Sequence, residues 1–142
     1  MKKLKRYFCL VLVIVSLTSI QVFAEENAPR ASAYIRSYSA YLDPTSSTTF
    51  EVWFDVTATG RMEELGTSVI KVQRSPDGSN WYTVRTYTKE MYPQMICENT
   101  GAHADCVSYT SIEPGFYYRA YVEFYAKNSS GTGYVYYYTA RL

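Results

Sequence analysis

The side chains best suited to chemistry in this sequence lie close together: Cys97, His103, Asp105 and Cys106 fall within one stretch of ten residues. Thiolate, imidazole and carboxylate are the groups that ligate zinc, but structural zinc sites set their cysteines in close pairs, roughly three to five positions apart. Cys97 and Cys106 are nine positions apart, so the residue types suggest a metal and the spacing does not. A hydrolytic centre would have to be built around His103, the single histidine, with Cys106 as its thiolate. A lone histidine specifies little, and its ordinary reading is a solvated loop residue. The chain is therefore read as a non-enzyme with no cofactor and no metal. A disulfide between Cys97 and Cys106 is the favoured chemistry, because a Gly-containing loop of this length closes without strain in an oxidising compartment. It would stabilise the fold by about 2–3 kcal/mol, with free thiols as the alternative.

Adjacent Glu63 and Glu64 point apart on a strand or turn, whereas an acid/base pair needs a set separation across a cleft. A solvated turn accounts for them. Ser75, Asp77, Gly78 and Trp81 read as a hairpin turn, with Asp and Gly where left-handed backbone angles are needed. They resemble the aspartate turn repeated in sialidase propellers, but one copy occurs and the glycine comes one position early. Asn128, Ser129 and Ser130 form a glycosylation sequon, which acts only in a eukaryotic secretory route.

Binding is more legible than catalysis. The sequence holds sixteen tyrosines, many of them near its end, and strand side chains alternate between faces. If Tyr118, Ala120, Val122 and Phe124 face the core, then Tyr117, Arg119, Tyr121, Glu123 and Tyr125 face outward, and Tyr134, Tyr136 and Tyr138 lie beside them on the last strand. Tyr offers large, stiff, amphipathic contact area at low entropic cost, which suits a protein or glycan ligand. The plainer explanation is cross-strand aromatic pairing, which stabilises a sheet by about 0.2–1 kcal/mol per pair.

The elements that must position these residues read as strands. Tyr, Val and Thr are strand formers, and no segment has the three-and-four apolar spacing of a core-facing helix, with Arg61 to Leu65 the one candidate for a single turn. About seven strands are expected: Tyr34 to Leu42, Phe50 to Thr59, Ser68 to Gln73, Trp81 to Thr88, Val107 to Ile112, Phe116 to Ala126 and Tyr134 to Ala140. Gly60 to Gly66 is expected as a connection, and Lys89 to Asp105 as a long loop. Short turns without crossover helices imply an all-β, antiparallel two-sheet sandwich.

The N-terminus sets the compartment. Lys2, Lys3, Lys5 and Arg6 precede an apolar run from Tyr7 to Val15, and Val22 and Ala24 occupy the small-residue positions of a cleavage site. Residues 1–24 are thus expected to be a secretory signal peptide cut between Ala24 and Glu25. The apolar run, diluted by Ser16, Thr18 and Ser19, is short for a span of about twenty residues, and no cysteine follows the cut to carry a lipid. Cleavage leaves a single domain, residues 25–142, with ten basic against thirteen acidic residues, a net charge of −3. Nucleic acid and anionic membranes demand a concentrated positive face, so neither nucleic-acid binding nor membrane insertion of the mature chain is expected. The product is read as secreted.

One run carries a resemblance. Ile112, Glu113, Pro114, Gly115, Phe116, Tyr117, Tyr118, Arg119, Ala120, Tyr121 and Val122 resemble the end of fibronectin type III domains, immunoglobulin-like sandwiches in which an apolar residue, Pro, Gly and a later Tyr lead into the sixth strand. Asn128 to Gly133 resembles that family's last hairpin, and Ser75, Asp77, Gly78 and Trp81 resemble its middle. The resemblance implies a tyrosine corner at Tyr118, with its hydroxyl bonded back to the preceding loop. The Lys89 to Asp105 segment is long for the family. The mature chain also resembles a family of short exported Gram-positive proteins of unknown function, which share the Val56 to Gly60 segment and the Tyr-rich end; this implies secretion. The expected function is an exported, non-catalytic binding or surface-interaction module, with a self-associating structural protein second and a hydrolase last.

Overall fold

The computed structural model describes residues 32–142. The expected signal peptide and its Ala24/Glu25 cleavage site lie outside the described residues. The chain is all-β and antiparallel throughout: β1 (Ile35–Pro44), β2 (Phe50–Ser75), β3 (Tyr82–Thr88), β4 (Ile96–Tyr109), β5 (Tyr117–Asn128) and β6 (Gly131–Tyr138), with one 3-10 turn at Pro93–Met95. All six strands join one hydrogen-bonded sheet through β2.

Strand β2 corrects the expected count of seven. The Gly60 to Gly66 segment is not a connection but the middle of a strand of 26 residues. The end of this segment is paired on both edges: Glu64, Leu65 and Gly66 pair with Glu98, Cys97 and Ile96 of β4 and with Lys127, Ala126 and Tyr125 of β5. Two ladders hold extended a segment whose local sequence suggested a turn, because buried backbone groups must find partners. Just before it, residues 58–61 of β2 stand against Gly101 alone, between the Thr57/Ala102 and Met62/Thr100 pairs. A bulge of this kind bends its strand and increases the twist.

The bend divides β2 into two halves. Phe50 to Thr57 is flanked by β1 and β4, whereas Val69 to Arg74 is flanked by β3 and β5, with β6 beyond β5. The sheet curls into a half-barrel, so that the inner faces of the halves meet. Tyr38 packs on Phe124 with ring centroids 5.2 Å apart, and Phe50 and Tyr109 meet Tyr118 at 5.7 and 5.9 Å. Phe50, Phe54, Leu65, Ile70, Val122 and Phe124 are buried at the junction, each contributing about 1.5–3 kcal/mol through removal from water. The Tyr118 hydroxyl accepts the Glu113 backbone N–H at 2.9 Å, and its ring is buried.

The expected loop from Lys89 to Asp105 is also corrected. Most of it is strand, and β3 and β4 together form the return path along β2, interrupted by an excursion over residues 89–95. Met95 anchors that excursion, fully buried, and its carbonyl lies where a side chain at position 66 would begin. A Cβ on Gly66 would stand 1.9 Å from that oxygen, so the close approach requires glycine.

This strand also corrects the disulfide. Cys97 and Cys106 are both free thiols, and both lie on β4. Nine residues of strand span about 30 Å, whereas a disulfide needs Cα atoms roughly 4.4–6.8 Å apart. Cys97 pairs with core residue Leu65 and Cys106 with half-exposed Trp53, which sets the two side chains on opposite faces.

Candidate functional site

The outer face of the second half gathers most of the tyrosines named from sequence. Register sets them in rows: Gln73 beside Arg119; Lys71, Tyr121 and Tyr138 in line; Val69, Glu123 and Tyr136 in the next row; then Gly66, Tyr125 and Tyr134. Directly opposed and diagonal side chains are within reach of one another in such rows. The Tyr121 ring accordingly meets Tyr138 at 5.3 Å and stacks with Tyr136 at 6.0 Å.

Arg119 is the hub. Its guanidinium sits 4.3 Å from the Trp81 ring and 4.4 Å from the Tyr138 ring, and its Nε donates to Gln73 Oε1 at 2.8 Å. Each such cation–ring contact contributes about 0.5–2 kcal/mol according to its exposure. Burial lowers the Arg119 pKa from its usual value, although the neighbouring Tyr138 opposes that shift. Lys71 Nζ extends the ladder, 5.5 Å over Tyr121.

A carboxylate lies within the aromatic face. Glu123 accepts from Ser68 Oγ at 2.6 Å and from the Tyr121 hydroxyl at 3.4 Å. Burial, and then the Glu123 charge, push the Tyr121 phenol up to about 12, so it remains a neutral donor across the physiological range. The surface therefore offers rings, hydroxyl donors, a held cation and a held anion.

The structure redistributes the named residues. Arg119, Tyr121, Tyr136 and Tyr138 form the cluster. Tyr134 is exposed at one end of it, and Tyr117, 40% exposed, lies towards the other end beneath Arg141 at 4.7 Å. Tyr125 is the exception: expected outside, it is 5% exposed. Lys89, at the start of the excursion, places its Nζ 4.0 Å over the Tyr125 ring and 3.3 Å from Glu64, so a second layer covers that ring. Alternation predicts which face a side chain occupies, not whether another segment crosses that face. Trp81, Lys71, Gln73 and Ser68 belong to the cluster and were not assigned to it from sequence; an aromatic after the Pro76 to Asn80 turn was the available signal.

The reactive stretch separates. His103 directs Nε2 to the Gln94 carbonyl at 2.9 Å and packs edge-on against Phe54, whereas Cys106, three residues along the strand, projects to the opposite face. Burial, followed by the charges of Glu51 and Asp105, raises the Cys106 thiol, which disfavours the thiolate. No group of three or more His, Cys, Asp and Glu among the described residues is placed to hold a metal ion. Glu64, expected in a solvated turn, is a half-buried strand residue bridging Lys89 and Lys127 at 3.3 Å each. Asp77 caps its turn, accepting the Ser79 and Asn80 N–H groups at 2.8 Å, and these bonds hold its carboxyl far below the usual range.

Among the described residues, no helix is long and apolar enough to cross a membrane. The site and its scaffold thus define an all-β protein with an aromatic, charge-studded sheet face. Set against known proteins, the chain matches no family model, no curated protein and no solved structure.

Proposed function

We propose that this is an exported, non-catalytic binding module that presents the Arg119, Tyr121, Tyr136 and Tyr138 face to a protein or glycan ligand. The observation that carries the reading is the ladder in which Arg119 lies between Trp81 and Tyr138 while Tyr121 contacts both Tyr136 and Tyr138. Fixed rings and a fixed guanidinium lose little entropy on binding, which is the property that makes aromatic and Arg residues dominate interfaces. The finer fold reading proposed with it is a two-sheet sandwich of the fibronectin type III kind, supported by the Tyr118 hydroxyl bonded back to Glu113 and by the packing of Phe50 and Tyr109 on Tyr118. Nucleic acid is not the partner in this reading, since Arg74 is paired with Glu113, Lys127 with Glu64, and Arg119 with two rings.

The test is a glycan array and a cell-surface pull-down with the parent and Tyr121→Ala proteins. Capture lost in the variant, with an unchanged far-UV spectrum, is the expected result. Equal capture by both proteins refutes the face.

A further inference from the structure

The curl of the sheet leaves a cleft of about 390 Å³ where the edge of β3 approaches the edge of β4. That volume falls in the range of small-ligand sites, roughly 300–1,000 Å³. One wall is Arg85, Tyr87 and Tyr92; the other is the end of β4 and the residues after it, among them the hydroxyl-bearing Ser108, Thr110 and Ser111. No carboxylate is among the lining residues.

The cation in this cleft is held in place. Arg85 Nη2 donates to the Tyr92 hydroxyl at 3.2 Å, the guanidinium lies 5.5 Å over the Tyr87 ring, and the Tyr87 and Tyr92 rings meet edge-on at 5.1 Å. A guanidinium carries five N–H donors in a fixed fork, so donors remain for a carboxylate, which it can grip with two parallel bonds.

A peptide strand laid along β4 is a poor occupant. Strand addition uses the outward N–H and C=O groups of an edge, and two of these are already engaged. The Ser108 carbonyl accepts the Tyr87 hydroxyl at 2.7 Å, and the Cys106 N–H donates to Asp105 Oδ1 at 2.7 Å. What the cleft offers instead is a guanidinium, an aromatic wall and three hydroxyl-bearing residues, the complement of a small hydroxylated acid.

We propose that the cleft binds a uronic acid unit of an acidic glycan, its carboxylate on Arg85 and its ring hydroxyls facing Ser108, Thr110 and Ser111. The orientation follows from charge: Asp105 and Glu51 act on the Cys106 end and repel a carboxylate there, which leaves the Arg85 end for the acid. This site is separate from the tyrosine face and stands or falls without it.

The probe is sodium D-glucuronate, titrated into the protein and followed by amide NMR and calorimetry. Saturable shifts are expected at Arg85 and from Cys106 to Ser111, with D-glucose, which lacks the carboxylate, at least about tenfold weaker. Arg85→Gln should weaken glucuronate by about tenfold or more, equivalent to about 1.4 kcal/mol, while Tyr121→Ala leaves it unchanged. Arg85→Lys keeps the charge without the fork; an intermediate affinity is expected, and it serves if the glutamine variant fails to fold. No saturable shift up to about 10 mM glucuronate, an affinity indifferent to both Arg85 variants, or acetate and inorganic phosphate binding as tightly as glucuronate would each overturn the proposal.

Discussion

The two halves of β2 share one backbone and one core, yet their strands carry opposite charge. In the first half, β1, Phe50 to Thr57 and β4 hold five carboxylates, Asp43, Glu51, Asp55, Glu98 and Asp105, with Arg36 as the single Lys or Arg. In the second half, Val69 to Ser75 with β3, β5 and β6 holds Lys71, Arg74, Arg85, Arg119 and Lys127, with Glu123 as the single carboxylate. The first half sets Trp53 between Tyr41 and Cys106 on its outer face, a sparse aromatic row. The second sets Arg119 among rings. Both halves obey the same sheet physics, so the difference lies in what the solvent side is for. Residues 32–142 hold nine basic against eleven acidic residues, yet one half of the sheet is cationic and aromatic because most of the acids lie elsewhere, and a field arranged in this way orients an approaching partner.

The largest effect should come from the junction the halves share. Phe124→Ala removes the ring that packs on Tyr38 and should cost about 3–5 kcal/mol, with urea unfolding monitored by tryptophan fluorescence and far-UV signal remaining one transition. Two transitions would mean that the halves fold separately and that the comparison is between domains rather than faces. Gly66→Ala comes next: it pushes against the Met95 carbonyl and should cost about 1–3 kcal/mol, with amide shifts concentrated at residues 89–95. Unchanged stability would show that the excursion yields freely.

Arg119→Ala tests the faces against each other. Losing contacts with Trp81 and Tyr138 should cost about 1–2 kcal/mol, whereas Asp55→Ala on the opposite half should stay within about 0.5 kcal/mol. Equal effects in thermal melts would remove the distinction. The same face sets an alkaline limit. Burial pushes the Tyr121 phenol from its usual 10.0 up to about 12, so the folded state binds its proton more tightly than the unfolded chain. Its contribution to stability is complete below pH 10 and lost as pH rises towards 12. Melting midpoints should fall across that window in the parent and fall less in Tyr121→Phe. The smallest effect is expected at the thiols: Cys97→Ser and Cys106→Ser should each shift stability by about 0.5 kcal/mol or less, and reductant should leave the parent's melting midpoint in place. A drop with reductant would restore the disulfide and break the continuity of β4.

The alternation of Tyr118, Ala120, Val122 and Phe124 against Arg119, Tyr121 and Glu123 is readable because β5 is flanked by β2 and β6 and has one buried face. It fails at Tyr125, where Lys89 arrives from another part of the chain. The join of two expected strands into β2 was hidden for a related reason: Arg61 to Leu65 has no strand pattern of its own, and Glu64 and Leu65 are held extended by partners on both edges. Charge segregation was equally invisible, since Lys71, Arg85, Arg119 and Lys127 are scattered along the chain and come into one half of the sheet only through strand pairing.

Composition and period by themselves determined an all-β antiparallel chain, the inner residues of β5, the turn at Asp77 and the tyrosines of the outer face, because these depend on local backbone preference and on alternation within one strand. Tertiary structure alone decided that Cys97 and Cys106 stand apart, that Tyr125 is covered, that Arg119 finds Trp81 and that Arg85 overlooks a cleft. Each of these depends on which distant segment lies alongside, a choice made by the bend in β2 and the burial it achieves rather than by any short stretch of sequence.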